Sequence, residues 1–201
     1  NGLCPWLVIA SAGTTDTGAV DPLEDLARLR DEHDLWLHVD AAYGGLFLLV
    51  PEMKSLLGGI ALANSVVVDP HKALFLPYGC GAFLLREEGR PSSVGADAAY
   101  LRDARAEGSA SAADLSIELT RPSRGAAIWA ALRAYGESSF AAALEEKLLL
   151  ARWLRGRLRS LQYLEIVDGQ ALSLVTFRDS RGETHTRALL EGIHRGERHL
   201  L

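Results

Sequence analysis

The chain reads as α/β, with part of a larger domain built on a mostly parallel sheet followed by the start of a small α+β domain. Three observations predict this. Apolar runs of strand length alternate with amphipathic stretches through roughly the first hundred residues. The runs "LWLHVD" (35–40) and "SVVVD" (65–69) are apolar on both faces, as parallel strands covered by helices on both sides are. Two short apolar runs and a last helix then follow one long helical stretch.

In order, "WLVIAS" (6–11) reads as the first strand. After the loop "AGTTDTGAVDP", the segment "LEDLARLRDEHD" spaces Leu23, Leu26, Ala27 and Leu29 along one helix face, with Asp21 before Pro22 as the expected N-cap. Residues 35–40 form the second strand, "PEMKSLLGG" a short helical piece, and 65–69 the third strand. The loop "PYGCG" leads to a fourth strand in "AFLLRE". Residues 91–114 are rich in Ala, Ser, Gly, Asp and Arg without apolar periodicity and read as a mobile loop. Helices are expected over 124–135 and 139–158, the second with Leu144, Leu148, Ala151 and Leu154 on one face. "YLEIVD" and "ALSLVTFRD" read as strands and "THTRALLEGIH" as a closing helix. The expected division is 1–140, the C-terminal part of the larger domain, and 141–201, the connecting helix and an incomplete small domain.

A formal charge of −5 offers no basic stripe for nucleic-acid phosphates, and the Arg-rich "RWLRGRLR" (152–159) reads as a solvated helix face. The two cysteines, Cys4 and Cys80, lack metal-ligand spacing, and no metal site is expected. They suit a reducing cytoplasm. The run "GGLFLLVP" is too short to cross a bilayer. The chain opens at Asn1 directly into core strand, which reads as a fragment of a longer protein.

Chemistry concentrates at strand ends. Ligands of open parallel sheets bind beyond the carboxyl ends of the strands. Thr14 and Thr15 follow the first strand, Asp40 ends the second, and Asp69, His71 and Lys72 follow the third, so all fall at one sheet edge. Only three lysines stand against eighteen arginines, which makes Lys72 conspicuous. A lysine at such an edge either pairs with an anion or acts as an amine nucleophile toward a carbonyl. Asp40 favours the second job. A carboxylate buried at a strand end needs a cationic or donor partner to offset its desolvation, and a protonated pyridine nitrogen is one. A lysine Schiff base with an aspartate on the pyridinium nitrogen is the pairing that pyridoxal phosphate chemistry requires. His38, inside an apolar strand, reads as a satisfied core histidine, and Tyr78 and Cys80 suit pocket and packing roles equally well.

"HVDAAYGG" (38–45) followed by "DPHKALFLPYGCG" (69–81) resembles the pyridoxal-phosphate-dependent group II amino-acid decarboxylases, which include the aromatic amino acid, histidine and glutamate decarboxylases. The resemblance covers about residues 5–178. It implies fold-type I, a homodimer with sites between subunits, and decarboxylation of an L-amino acid. Carried over by position, it implies that Lys72 forms the Schiff base with pyridoxal 5'-phosphate and Asp40 pairs with the pyridine nitrogen. Ala42 would lie against the ring, Thr15 near its O3′ or phosphate side, His71 against the cofactor as a proton-handling group, and Asp69 toward the phosphate. Aromatic members return a proton from a loop tyrosine, whereas "ARAEGSASAADLSIELTRPSRG" here contains none. Another reaction on the same scaffold (aldehyde synthase, lyase or aminotransferase) and a non-catalytic fragment are the alternative readings.

Overall fold

A computed structural model describes residues 2–86, 121–169 and 171–196. The loop expected over 91–114 lies outside the described residues. The elements are β1 (Leu7–Ser11), α1 (Leu23–His33), β2 (Trp36–Asp40), a run of single turns from Gly45 to Leu62 that includes α2 (Lys54–Leu57), β3 (Ser65–Val68), α3 (Pro70–Ala73) and β4 (Ala82–Leu85). Then come α4 (Arg124–Tyr135), α5 (Glu137–Arg159), β5 (Leu164–Ile166), β6 (Phe177–Asp179) and α6 (Glu183–Arg195).

The first sheet runs β1-β2-β3-β4, parallel except for β4, and β5 and β6 form a separate antiparallel pair. Strand alternation places Ala10, Leu37, Val39 and Val66 on one face, where all are buried with Leu23 and Ala27 of α1, Phe47 and Leu57 of the single turns, and Leu144 and Leu148 of α5. Burying a side chain the size of Leu37 or Leu57 contributes roughly 1.5–3 kcal/mol each, so this face is where α1 and α5 are anchored. The opposite face carries Ile9, His38, Ser65 and Asp40, and Ile9 there is 64% exposed. His38 is satisfied in place: its Nδ1 lies 2.8 Å from Ser65 Oγ, which also accepts from Trp36 Nε1 at 2.8 Å.

Three local expectations change. Asp21 does not cap α1. Pro22 precedes the helix, and the Asp21 carboxylate instead accepts the Ser11 N–H at 2.7 Å, fastening the loop's exit to the end of β1. Leu154 is 37% exposed, while Phe140 and Leu158 join Leu144, Leu148 and Ala151 on the buried side of α5, because the helix passes from the first sheet to β5 and presents a turning face. Residues 171–179 are strand only over 177–179. Leu172 is drawn fully into the core of the first sheet, so residues 171–175 leave the β5–β6 pair, while Thr176 O still accepts the Val167 N–H. Among the described residues no helix is long and apolar enough to cross a membrane.

Candidate active site

The carboxyl ends of the parallel strands β1, β2 and β3 open onto one edge, and each delivers a loop there. The β1 loop is closed by its own hydroxyls and backbone. Thr14 Oγ1 and Thr17 Oγ1 lie 2.9 Å apart, the Ala19 N–H donates to Thr14 Oγ1 at 3.1 Å, and the Gly13 and Thr14 N–H groups donate to Ala19 O. Gly13, at φ +111°, makes the turn that an L side chain would strain. Thr15 is left exposed at the tip.

Asp40 ends β2 with its side chain on the sheet face opposite the core, following the alternation of Leu37 and Val39. The Ala42 N–H donates to Asp40 Oδ1 at 3.1 Å, which fixes the carboxylate at the turn. Asp40 is exposed and not the buried carboxylate its place at the end of an apolar run suggests, because the sheet face it lies on is open, and among the described residues no cation pairs with it. The β3 loop starts with Asp69, whose N–H donates to Ala42 O at 3.2 Å and so ties the second and third loops together.

Lys72 lies in the single turn Pro70–Ala73, with Pro70 at its first position, where a missing N–H is harmless. Its Nζ is 2.9 Å from Asp69 Oδ2 and its side chain is 44% exposed. His71 is held from one side: Nδ1 donates to Cys80 O at 2.8 Å, and Nε2 faces Asp69 Oδ2 at 3.8 Å. The Tyr78 ring stands 5.1 Å from the imidazole. Gly81 lies against the Asp69 carboxylate, where a Cβ would reach 3.0 Å.

A cavity of about 540 Å³ collects these loops, lined by Gly13, Thr15, Asp40, Ala42, Tyr43 and Lys72 among others. The structure therefore brings Thr15, Asp40, Ala42 and Lys72 to one space. Asp69 and His71 stand beside it, Asp69 as the counter-charge of Lys72. Tyr43 and Ser11 are lining residues that sequence reasoning passed over, and Tyr43 is the one with a long-range partner. Its hydroxyl lies 2.6 Å from Ser173 Oγ, and burial raises the phenol's pKa above the usual value, partly opposed by that hydrogen bond and by Arg155. Its only local signal is its place directly after Asp40-Ala41-Ala42, and its partner is 130 residues away.

Around one cavity stand a primary amine, a carboxylate that no cation among the described residues pairs with, and the exposed Thr15 hydroxyl, a set that fits a group carrying an aldehyde, a basic ring nitrogen and polar oxygens. The fold is that of a fold-type I α/β protein, and its strand ends bring a lysine and an aspartate, Lys72 and Asp40, to one cavity.

The pyridoxal-dependent decarboxylase conserved domain matches residues 1–180. The chain is 34% identical to an aromatic-L-amino-acid decarboxylase of Bacillus atrophaeus over 97% of its own length and 43% of the relative's. It is 33% identical to a phenylacetaldehyde synthase of a Rosa hybrid cultivar over 89% of this chain and 36% of that one. Among solved structures, Oryza sativa TDC with PLP and tryptamine superposes with a TM-score of 0.88 at 27% identity, covering 97% of this chain and 43% of the other. Rhodiola rosea 4-hydroxyphenylacetaldehyde synthase gives 0.82 at 30% identity, covering 97% and 41%. The chain belongs to the pyridoxal-dependent decarboxylase family, whose cofactor is pyridoxal phosphate, and it spans less than half the length of these relatives.

Proposed function

We propose that this protein removes the carboxyl group of an L-amino acid, releasing carbon dioxide and the amine, with pyridoxal phosphate held covalently by Lys72. The observation that carries the reading is the shared cavity: Lys72 and Asp40 line it together, and Asp40 has no cationic partner among the described residues. Bound there, the cofactor would supply an electron sink for the electron pair left at the α-carbon. Asp40 would keep a proton on the ring nitrogen, which that sink requires. Ala42 would give the ring a flat, small surface, and the Thr15 hydroxyl would meet its O3′ or phosphate side. Asp69 holds the Lys72 ammonium in position before the cofactor arrives. His71, oriented by Cys80 O through Nδ1, keeps Nε2 available to carry a proton on the Lys72 side.

In the same reading residues 1–140 belong to the large cofactor-binding domain and 141–201 to the connecting helix and a small domain. The working form is a cytoplasmic homodimer with sites at the subunit interface.

The test uses the complete polypeptide. Wild type should develop a visible absorption band with pyridoxal phosphate and release carbon dioxide from at least one L-amino acid. Lys72→Ala should lose both, and survival of the band in Lys72→Ala overturns the reading. A second reading, an aldehyde synthase, is favoured by the absence of tyrosine from 104–125 and by the presence of aldehyde synthases among the similar proteins. Formation of ammonia and hydrogen peroxide with uptake of dioxygen would select it.

A further inference from the structure

Residues 171–176 pass over the carboxyl edge of the first sheet before joining the β5–β6 pair at Thr176, and they touch both loops that line the cavity. Leu172 is fully buried, and three glycines make room for it. A Cβ at Gly13 would come within 2.7 Å of Leu172 Cδ1, one at Gly44 within 2.8 Å of the same atom, and one at Gly18 within 3.3 Å of Leu172 Cβ. Gly13 and Gly18 bracket the Thr14–Thr17 turn, and Gly44 follows Tyr43 directly. One apolar side chain therefore packs under both loops at once.

Polar contacts fix the same segment. Ser173 Oγ and the Tyr43 hydroxyl lie 2.6 Å apart, and the Thr176 hydroxyl donates to Asp16 O in the β1 loop. From behind, Arg155 of α5 donates to Leu172 O at 2.7 Å and Leu174 O at 2.6 Å, and the Val167 N–H donates to Thr176 O at 3.0 Å. The Tyr43 ring is braced edge-on by Phe47, with centroids 5.6 Å apart. Tyr43 thus has its ring fixed by the core and its hydroxyl fixed by the C-terminal segment, while its backbone carries Ala42 and, one residue further back, Ala41 beside Asp40.

We propose that residues 171–176 form a strap that positions the two cavity-lining loops, with Tyr43 and Ser173 as its positioning pair, so that the C-terminal segment sets how tightly the site holds pyridoxal phosphate. The proposal rests on the cofactor reading given above. Neither residue takes part in bond making. Their effect runs through the placement of Ala42 and Asp40 on one side and Thr15 on the other.

The experiment measures cofactor affinity of the complete polypeptide by titrating pyridoxal phosphate into apoprotein and following the visible band. Tyr43→Phe keeps the ring and loses the hydroxyl, and Ser173→Ala loses its partner. Each should weaken affinity by about fivefold, the equivalent of one part-buried hydrogen bond. The double variant should be no weaker than either single one, because both remove the same contact. Ser173→Thr, which keeps the hydroxyl, should return to within about twofold of wild type, consistent with a positioning role for that bond. Should Ser173→Ala fail to fold, Tyr43→Phe and Ser173→Thr still decide the matter. Wild-type affinity in Tyr43→Phe, or losses that multiply in the double variant, overturns the strap and leaves the cofactor reading standing. A wild-type protein that never develops the band overturns both.

Discussion

Replacing Gly45 by alanine tests whether the turn after β2 sets the site as closely as its packing implies. Gly45 is buried, its N–H donates to Ala41 O at 2.8 Å, and it starts the single turn that carries Phe47 into the core. A Cβ there would meet Val68 Cγ1 at 2.8 Å and Ala41 Cβ at 2.9 Å. The two contacts are about 0.6–0.7 Å shorter than an ordinary methyl–methyl approach of about 3.5 Å. Neither neighbour can yield by rotation: Val68 is stiff at χ1 at the end of a strand, and Ala41 has no further torsion. The backbone must move, and overpacking of this kind costs about 2 kcal/mol. With a urea dependence of about 2 kcal/mol per M, the unfolding midpoint of the complete polypeptide should fall by about 1 M. The displaced residues adjoin Ala42 and Asp69, so cofactor affinity should fall in parallel. Gly58→Ala, where a Cβ meets nothing within 4 Å, is the control and should leave both measurements unchanged or raise stability slightly. A Gly45→Ala midpoint within about 0.2 M of wild type would refute the packing argument.

Two other outcomes follow from the structure. Ser65→Ala removes the oxygen shared by Trp36 Nε1 and His38 Nδ1, and should lower stability by about 1–3 kcal/mol in a urea titration; an unchanged midpoint would mean that water replaces it freely. Asp179 has its carboxyl lowered to about 2, first by the side-chain hydrogen bonds of Arg181 and then by that residue's N–H and charge, against the opposing effect of its burial. A carboxyl depressed on folding adds stability that is complete above its unfolded value near 4 and is lost as pH falls through about 2. The difference in melting temperature between wild type and Asp179→Asn should therefore be constant above pH of about 5 and shrink steadily below about 4. A flat difference down to pH of about 2 would contradict the assignment.

Much of the candidate site was legible without coordinates, and the reason is local. Strands of this sheet advertise themselves as short apolar runs, although only one of the two faces the runs suggest is buried, the other leaving Ile9 64% exposed, and the residue at which each run stops is read directly from the chain. Asp40 and Lys72 could be placed at one edge on that ground alone, and the scarcity of lysine singled out Lys72. Local pattern also misled where one residue had two possible partners. Asp21 stands where a helix cap is expected, yet its carboxylate takes the Ser11 N–H, an interaction no helix signal encodes.

What the sequence by itself determined is the order of strands and helices and the residue types at the strand ends, because hydrophobic period and chain punctuation act over a few residues. Only the tertiary structure decided that "ALSLVT" leaves the second sheet to pack Leu172 against Gly13, Gly18 and Gly44, and that Tyr43 meets Ser173. An apolar run suits a strand and a core anchor equally. The choice falls to whichever surface removes more of it from water, and here that surface is a pocket between glycines far away in the chain.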